Sequence, residues 1–261
     1  MTRELRASGL LPLAVVLVMT SAGRAQTVRP LIDELGNPGK GRVEYVNDGL
    51  TPLNVILEAK SFTVSERGEI SYRPLDSNIH LRLSTTSFRI QPKQTYYVFY
   101  EASSEPSPAW FVIYAAFSGF AFRTAQGMNV RLELPHTVYL LPKQSLDKSE
   151  LQVSRAQVDA KENKAVIEVE NTGPHFGRVL ATELLYAHAK QAAPGFPVFP
   201  HSKRTLEVPL EEKPQPNPGP LEVLLELKDF KLQQKFDHPD SALATVENGS
   251  PAQGTGTGSN P

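Results

Sequence analysis

The chain has 261 residues, no cysteine, and 27 basic against 28 acidic side chains, a formal net charge of -1. These counts exclude disulfides, thiol nucleophiles and Cys-held zinc or iron–sulfur clusters, and a near-neutral chain lacks the basic footprint of a nucleic-acid binder. A hydrophobic share of 40% is enough for packed cores, and 22 prolines suit strand edges and turns better than helix interiors.

The amino terminus reads as an export leader. Arg3 and Arg6 form a positive start, Leu10 to Met19 is an apolar run, and Gly23-Arg24-Ala25 places small residues before a cleavage point after Ala25. The run is short for a bilayer span, which takes about 20 apolar residues. The mature chain is expected to begin at Gln26, with no membrane span after cleavage.

From Val28 onward, short β-like runs alternate with Gly/Pro/Asn/Asp turns, the spacing of an all-β sandwich. Arg42 to Val46 alternates between the turn signals Asn37-Pro38-Gly39 and Asn47-Asp48-Gly49. Leu53 to Ala59, Phe88 to Ile90, Thr95 to Tyr100 and the apolar Trp110 to Tyr114 follow as strands. Asn129 to Leu134 and Val138 to Leu141 complete a first unit near Pro142. A second unit is expected from about Glu150. Its strands are Leu151–Val153, Ala156–Asp159, Ala165–Glu170, Gly177–Leu185, Phe196–Phe199, Thr205–Leu210 and Leu221–Leu232, the last with one slip in its alternation. Lys161 to Lys164 reads as a charged hairpin turn. From about Phe236 the pattern ends, and Asn248 to Pro261 is a low-complexity tail expected to be disordered.

No catalytic constellation emerges. G-x-S-x-G, H-E-x-x-H, Walker A and a strand-linked G-x-G-x-x-G are all missing, so nothing calls for a cofactor or a metal. His80, His136, His175, His188, His201 and His238 lack ligand spacing and read as surface or strand-end residues. Glu211-Glu212 reads as a solvated loop, and Trp110 as a core residue opening its strand rather than a ligand platform. The chain is expected not to be an enzyme.

Several stretches resemble, in order, the periplasmic pilus-assembly chaperones (the PapD-like family). Tyr45-Val46-Asn47-Asp48 resembles the end of that family's strand B, and Ser87 to Val98, with Pro92-Lys93, its turn into the next strand. Asn129 to Pro142 resembles the last strand of its first domain. Ala165 to Pro174 and Phe199 to Thr205 resemble two strand-turn segments of its second domain. The collinearity from Val28 to Leu232 carries the likeness, since no single motif is specific.

The resemblance implies two immunoglobulin-like β-sandwich domains in tandem: residues 26–143 and 144–235, after a signal peptide at 1–25 and before a tail at 236–261. It implies a periplasmic chaperone for pilus or fimbrial subunits. Such a protein binds incomplete immunoglobulin-like clients by lending them a strand, with an outer-membrane usher as a further partner. Met128, Val130, Leu132 and Leu134 fall on the family's donor strand, although a half-buried strand facing its own core shows the same alternation. The family holds the client's terminal carboxylate with an Arg on the first strand and a Lys on the donor strand. Here the matching positions are Arg29, followed by Pro30, and Thr137, so that anchor is expected to be absent or rebuilt. The rival reading is an exported structural or adhesive module that binds a surface protein or glycan without chaperone activity.

Overall fold

A computed structural model describes residues 26–119, 132–211, 219–237 and 240–241. The leader at 1–25, Met128, Val130 and the tail beyond Ser241 lie outside the described residues.

The architecture is all-β, two sandwiches with separate cores. The first contains β1 (Thr27–Arg29), β2 (Ile32–Gly36), β3 (Gly39–Val46), β4 (Leu53–Val64), β5 (Ile70–Pro74), β6 (Ile79–Leu83), β7 (Ser87–Ile90), β8 (Thr95–Ser104), β9 (Ala109–Ser118) and β10 (Leu132–Leu141). One sheet runs β1-β3-β8-β6; the other runs β2-β10-β9-β4-β5, with β7 also paired to β4. Tyr45, Leu53, Val98, Phe111, Ile113, Phe117, Val138 and Leu140 fill the space between them.

The second sandwich contains β11 (Leu151–Asp159), β12 (Lys164–Asn171), β13 (Gly177–Tyr186), β14 (Ala189–Val198), β15 (Ser202–Pro209), β16 (Leu221–Leu227), β17 (Lys231–Phe236) and β18 (Asp240–Ser241). Its sheets run β15-β12-β11-β18 and β14-β13-β16-β17. In β12 and β16 every second side chain is buried, the pattern of a strand with one face on a core.

Five expected strands take a different form. Leu151–Val153 and Ala156–Asp159 are one strand, interrupted by a bulge between Val153 and Arg155. Leu221–Leu232 is a hairpin, not a strand with a slip: Leu227 N–H donates to Phe230 O at 3.0 Å, and β17 turns back along β16. The run to Leu134 and the run from Val138 join into one β10, with Pro135 inside it. Pairing also continues past Phe236, where the sequence pattern stops, since β18 lies parallel to β11.

Equivalent asparagines close β3 and β12. Asn47 is buried; its Nδ2 donates to Thr51 O, Ile90 O and Gln91 O at 2.8, 3.3 and 3.2 Å, and its Oδ1 accepts from Gly49 N–H at 3.0 Å. Asn171 donates to His175 O and Phe199 O at 2.7 and 2.9 Å and accepts from Gly173 N–H at 3.0 Å. Each amide satisfies backbone groups that a turning chain would otherwise bury unpaired.

Candidate functional site

The site is built around β10 and the cleft between the sandwiches. One edge of β10 pairs antiparallel with β9 from end to end. On its other edge, β2 pairs in parallel only with Thr137 to Leu141. Thr137 N–H donates to Leu31 O at 2.8 Å, and Leu141 O accepts from Asn37 N–H at 3.1 Å. Among the described residues, Leu132, Leu134 and Pro135 therefore lie beyond the end of β2, on an outer stretch of this sheet.

Leu132 and Leu134 are half-buried and pack against the first sandwich's own core. Their alternation thus serves that core in the free chain while part of each side chain stays accessible. Pro135 is exposed.

His136 follows at 0% exposure in mid-strand, so the expectation of a surface or strand-end histidine fails here. Its Nδ1 donates to Pro30 O at 2.7 Å, and Nε2 lies 3.0 Å from the Tyr100 hydroxyl, which donates to Asp33 Oδ2 at 2.8 Å. Burial holds the His136 imidazole below its ordinary range, against the opposing pull of Pro30 O and the Asp33 carboxylate. Burial, and then Asp33, hold the Tyr100 phenol protonated well above its usual value.

An unfolded imidazole titrates near ~6.5, and the folded domain takes up that proton less readily. The first domain is therefore expected to lose stability as pH falls through about 6.5, levelling once the folded group also titrates. Urea midpoints measured across this window should slope for the native chain and flatten for His136→Gln. An equal slope in both would remove His136 as the cause.

The cleft is sealed by rings. Phe62, Val112 and Tyr139 from the first sandwich meet Phe176 from the second, with Trp110, Leu141 and Phe199 packed around them. Tyr139 and Phe176 stack at 4.6 Å, Trp110 and Phe199 lie 4.5 Å apart, and Trp110 Nε1 donates to Phe62 O at 2.9 Å. Trp110 is thus packed as expected, but between domains rather than inside one. It also explains why β9 is almost wholly apolar: one face fills the sandwich and the other meets the second domain. Across the cleft, Arg178 Nε donates to Glu34 Oε1 at 2.6 Å.

Beside the rings is a cavity of about 200 Å³ lined by Phe62, Ile70, Tyr72, Thr137, Phe196 and Arg204, among others. Arg204, on β15, reaches to the β4–β5 hairpin, where Nη1 is 3.4 Å from both Ser65 O and Glu66 O. Its Nε is buried without a hydrogen-bond partner among the described residues, and burial lowers its pKa. Gly68, at φ +87°, leaves the space the guanidinium occupies; a Cβ there would run into it. Thr205 N–H donates to Glu66 O at 2.7 Å, tying the same hairpin to the second domain.

The residues matched to a carboxylate anchor do not converge. Thr137 lines the cavity, whereas Arg29 is exposed beside Glu44 on the outer face of the opposite sheet. The cation at the cavity is Arg204, which the sequence reading passed over because it comes from the other domain.

Among the described residues, no group of three or more acidic or histidine side chains is placed to hold a metal, and no helix is long and apolar enough to cross a membrane. No family model matches the sequence, and no curated protein matches it. Solved structures do. The YadV chaperone superposes with a TM-score of 0.55 at 10% identity, over 81% of this chain and 99% of its own. A chain of the CsuC–CsuE chaperone–tip subunit pre-assembly complex from Acinetobacter baumannii gives 0.50 at 10%, covering 81% and 97%. A chain of the Salmonella enterica SafA pilin–SafB chaperone complex gives 0.50 at 11%, covering 81% and 96%.

The chain has the fold of the pilus-assembly chaperones. At such low identity the likeness is one of fold. The likeness extends across both sandwiches, as the collinear stretches implied.

Proposed function

We propose that this chain is a periplasmic chaperone that holds pilus-like subunits with an incomplete immunoglobulin-like fold by lending them the first part of β10. The observation that carries the reading is the outer stretch of β10. Leu132 and Leu134 alternate there beyond the end of β2, half-covered, on the sheet that leads to the cleft. Strand addition joins main-chain bonds, which tolerate any sequence, to alternate apolar side chains, which fill a client's groove. The two neighbours solved with a chaperone and a subunit together support the same reading.

Within this reading, the client's terminal carboxylate is met by Arg204 rather than by Arg29. A guanidinium whose Nε has no partner among the described residues, lining a mainly apolar pocket, suits a carboxylate through charge-assisted bonds.

The test is co-expression with a subunit gene from the same chromosomal neighbourhood, followed by co-purification from the periplasm. Leu132→Asp is expected to cut subunit recovery at least tenfold, because a carboxylate cannot be buried in an apolar groove. Arg204→Gln is expected to weaken recovery by a smaller factor. Thermal unfolding of each free variant separates lost capture from lost fold. Undiminished capture by a folded Leu132→Asp variant would overturn the reading and favour the adhesive module.

A further inference from the structure

The sheet of the first sandwich that does not contain β10 carries a face with no role so far. Its strands run β1-β3-β8-β6, and residues paired across them share one side. Glu44 is paired with Arg29 and Tyr97, Arg42 with Phe99, and Glu101 with Lys40 and Arg82. Val43, Val98 and Tyr100 turn the other way into the core, so all of these side chains face outward. Tyr97 and Phe99 stand next to each other in one column, 45% and 58% exposed. Single apolar side chains are ordinary on a surface, whereas two adjacent rings set among charges ask for a partner. On these four strands Arg29, Lys40, Arg42 and Arg82 outnumber Glu44 and Glu101, a local positive surplus in a chain whose total is -1. Lys40 pairs with Glu101 at 2.5 Å and Arg42 with Glu44 at 3.0 Å, and the Arg42 guanidinium also lies 5.1 Å from the centre of the Tyr97 ring. Arg29 and Arg82 have no hydrogen bond or ion pair among the described residues. Two open hollows of about 550 and 440 Å³ flank β6 and share Lys40, Arg82 and Glu101, and Phe99 lines the second.

We propose that this face binds an acidic glycan, a chain of sugar rings that carry carboxylates. Tyr97 and Phe99 offer apolar ring surface to the C–H faces of sugars. Arg29 and Arg82 keep guanidinium donors for carboxylates, which they match in a bidentate fork. The paired Lys40–Glu101 and Arg42–Glu44 present donors and acceptors to sugar hydroxyls. From Tyr97 to Ser103 the column runs about 20 Å at the usual rise of a strand, room for several linked sugars. A peptide strand suits the face less. The main chains of β3 and β8 are paired on both edges, so a peptide would find none of the bonds that hold an added strand. A second copy of the chain would bring the same positive surplus and repel. A bilayer suits it no better, because the rings sit in mid-sheet among charges and not at a tip that enters lipid. The assignment is independent of strand lending, which uses the other sheet.

The test is isothermal titration of the full chain with an oligogalacturonate. A neutral cello-oligosaccharide of equal length, an oligoglutamate peptide and phosphatidylglycerol vesicles are titrated beside it. Only the acidic sugar is expected to bind, and less tightly as salt rises. Phe99→Ser and Arg82→Gln should each weaken that binding at least about fivefold. Phe99→Tyr, which keeps a ring, should bind as the native chain does. Phe99 and Arg82 are both exposed, so the unfolding temperatures of these variants should match the native chain and separate lost binding from lost fold. No binding of the acidic sugar, or equal binding of the neutral sugar, the peptide or the vesicles, would overturn the assignment. Undiminished binding by Phe99→Ser and Arg82→Gln would overturn it as well.

Discussion

Asn171→Ala is expected to destabilise the second domain by about 3 kcal/mol, since it leaves buried backbone groups unpaired at about 1–3 kcal/mol each. The residue is 1% exposed, and its amide serves His175 O, Phe199 O and Gly173 N–H together. Alanine abandons all three, and water reaches only some of them. Urea unfolding followed by far-ultraviolet circular dichroism measures the loss, and a change under about 1 kcal/mol would show that the turn relaxes instead. Asn47→Ala tests the same argument in the first domain, where the amide holds Thr51, Ile90 and Gln91 carbonyls and the Gly49 amide.

The second large effect belongs to Phe176. Truncation to alanine removes a ring that contacts Tyr139 at 4.6 Å and Phe199 at 5.7 Å, in a cluster shared by both sandwiches. Burial losses of this kind cost about 3–5 kcal/mol. Part of that cost falls on the coupling between domains, so calorimetry should resolve two separated transitions where the native chain gives a more unified one. A single transition at an unchanged temperature would mean that Arg178–Glu34 and the hairpin contacts hold the domains without the rings.

The fold was legible where one face of a strand meets one core. Ala165 to Glu170 and Leu221 to Leu227 carry that period openly, and β12 and β16 follow it. It was less legible where the backbone departs from period. A bulge near Ser154 looks like a gap between two strands, and the turn at Lys228-Asp229 looks like a slip. The runs to Leu134 and from Val138 read as two strands because Pro135 lies between them, and their union in β10 shows only in the pairing with β9.

The site was harder still. Leu132 and Leu134 could be picked out by alternation, but that alternation cannot say which face is covered and by what. His136 has no local signal, because its partners Pro30 and Tyr100 arrive from separate strands. Arg204 sits in a stretch noticed for its turn, and its role comes from Gly68 and Glu66 of the other domain. Contacts between sandwiches leave no period in either.

The reach of the β4–β5 hairpin makes the two halves of the molecule unequal. No residue of β5 is buried, and the turn before it is fastened to β15 through Glu66 O and the Arg204 side chain. The second sandwich thus adds a brace to a projection that the first holds through its pairing with β4 and through Tyr72 against Phe62 and Tyr114. A first domain expressed alone would keep its core but fray at 65–74, the part that forms one wall of the cleft. A wall built from both halves in this way belongs to the pair and to neither half alone.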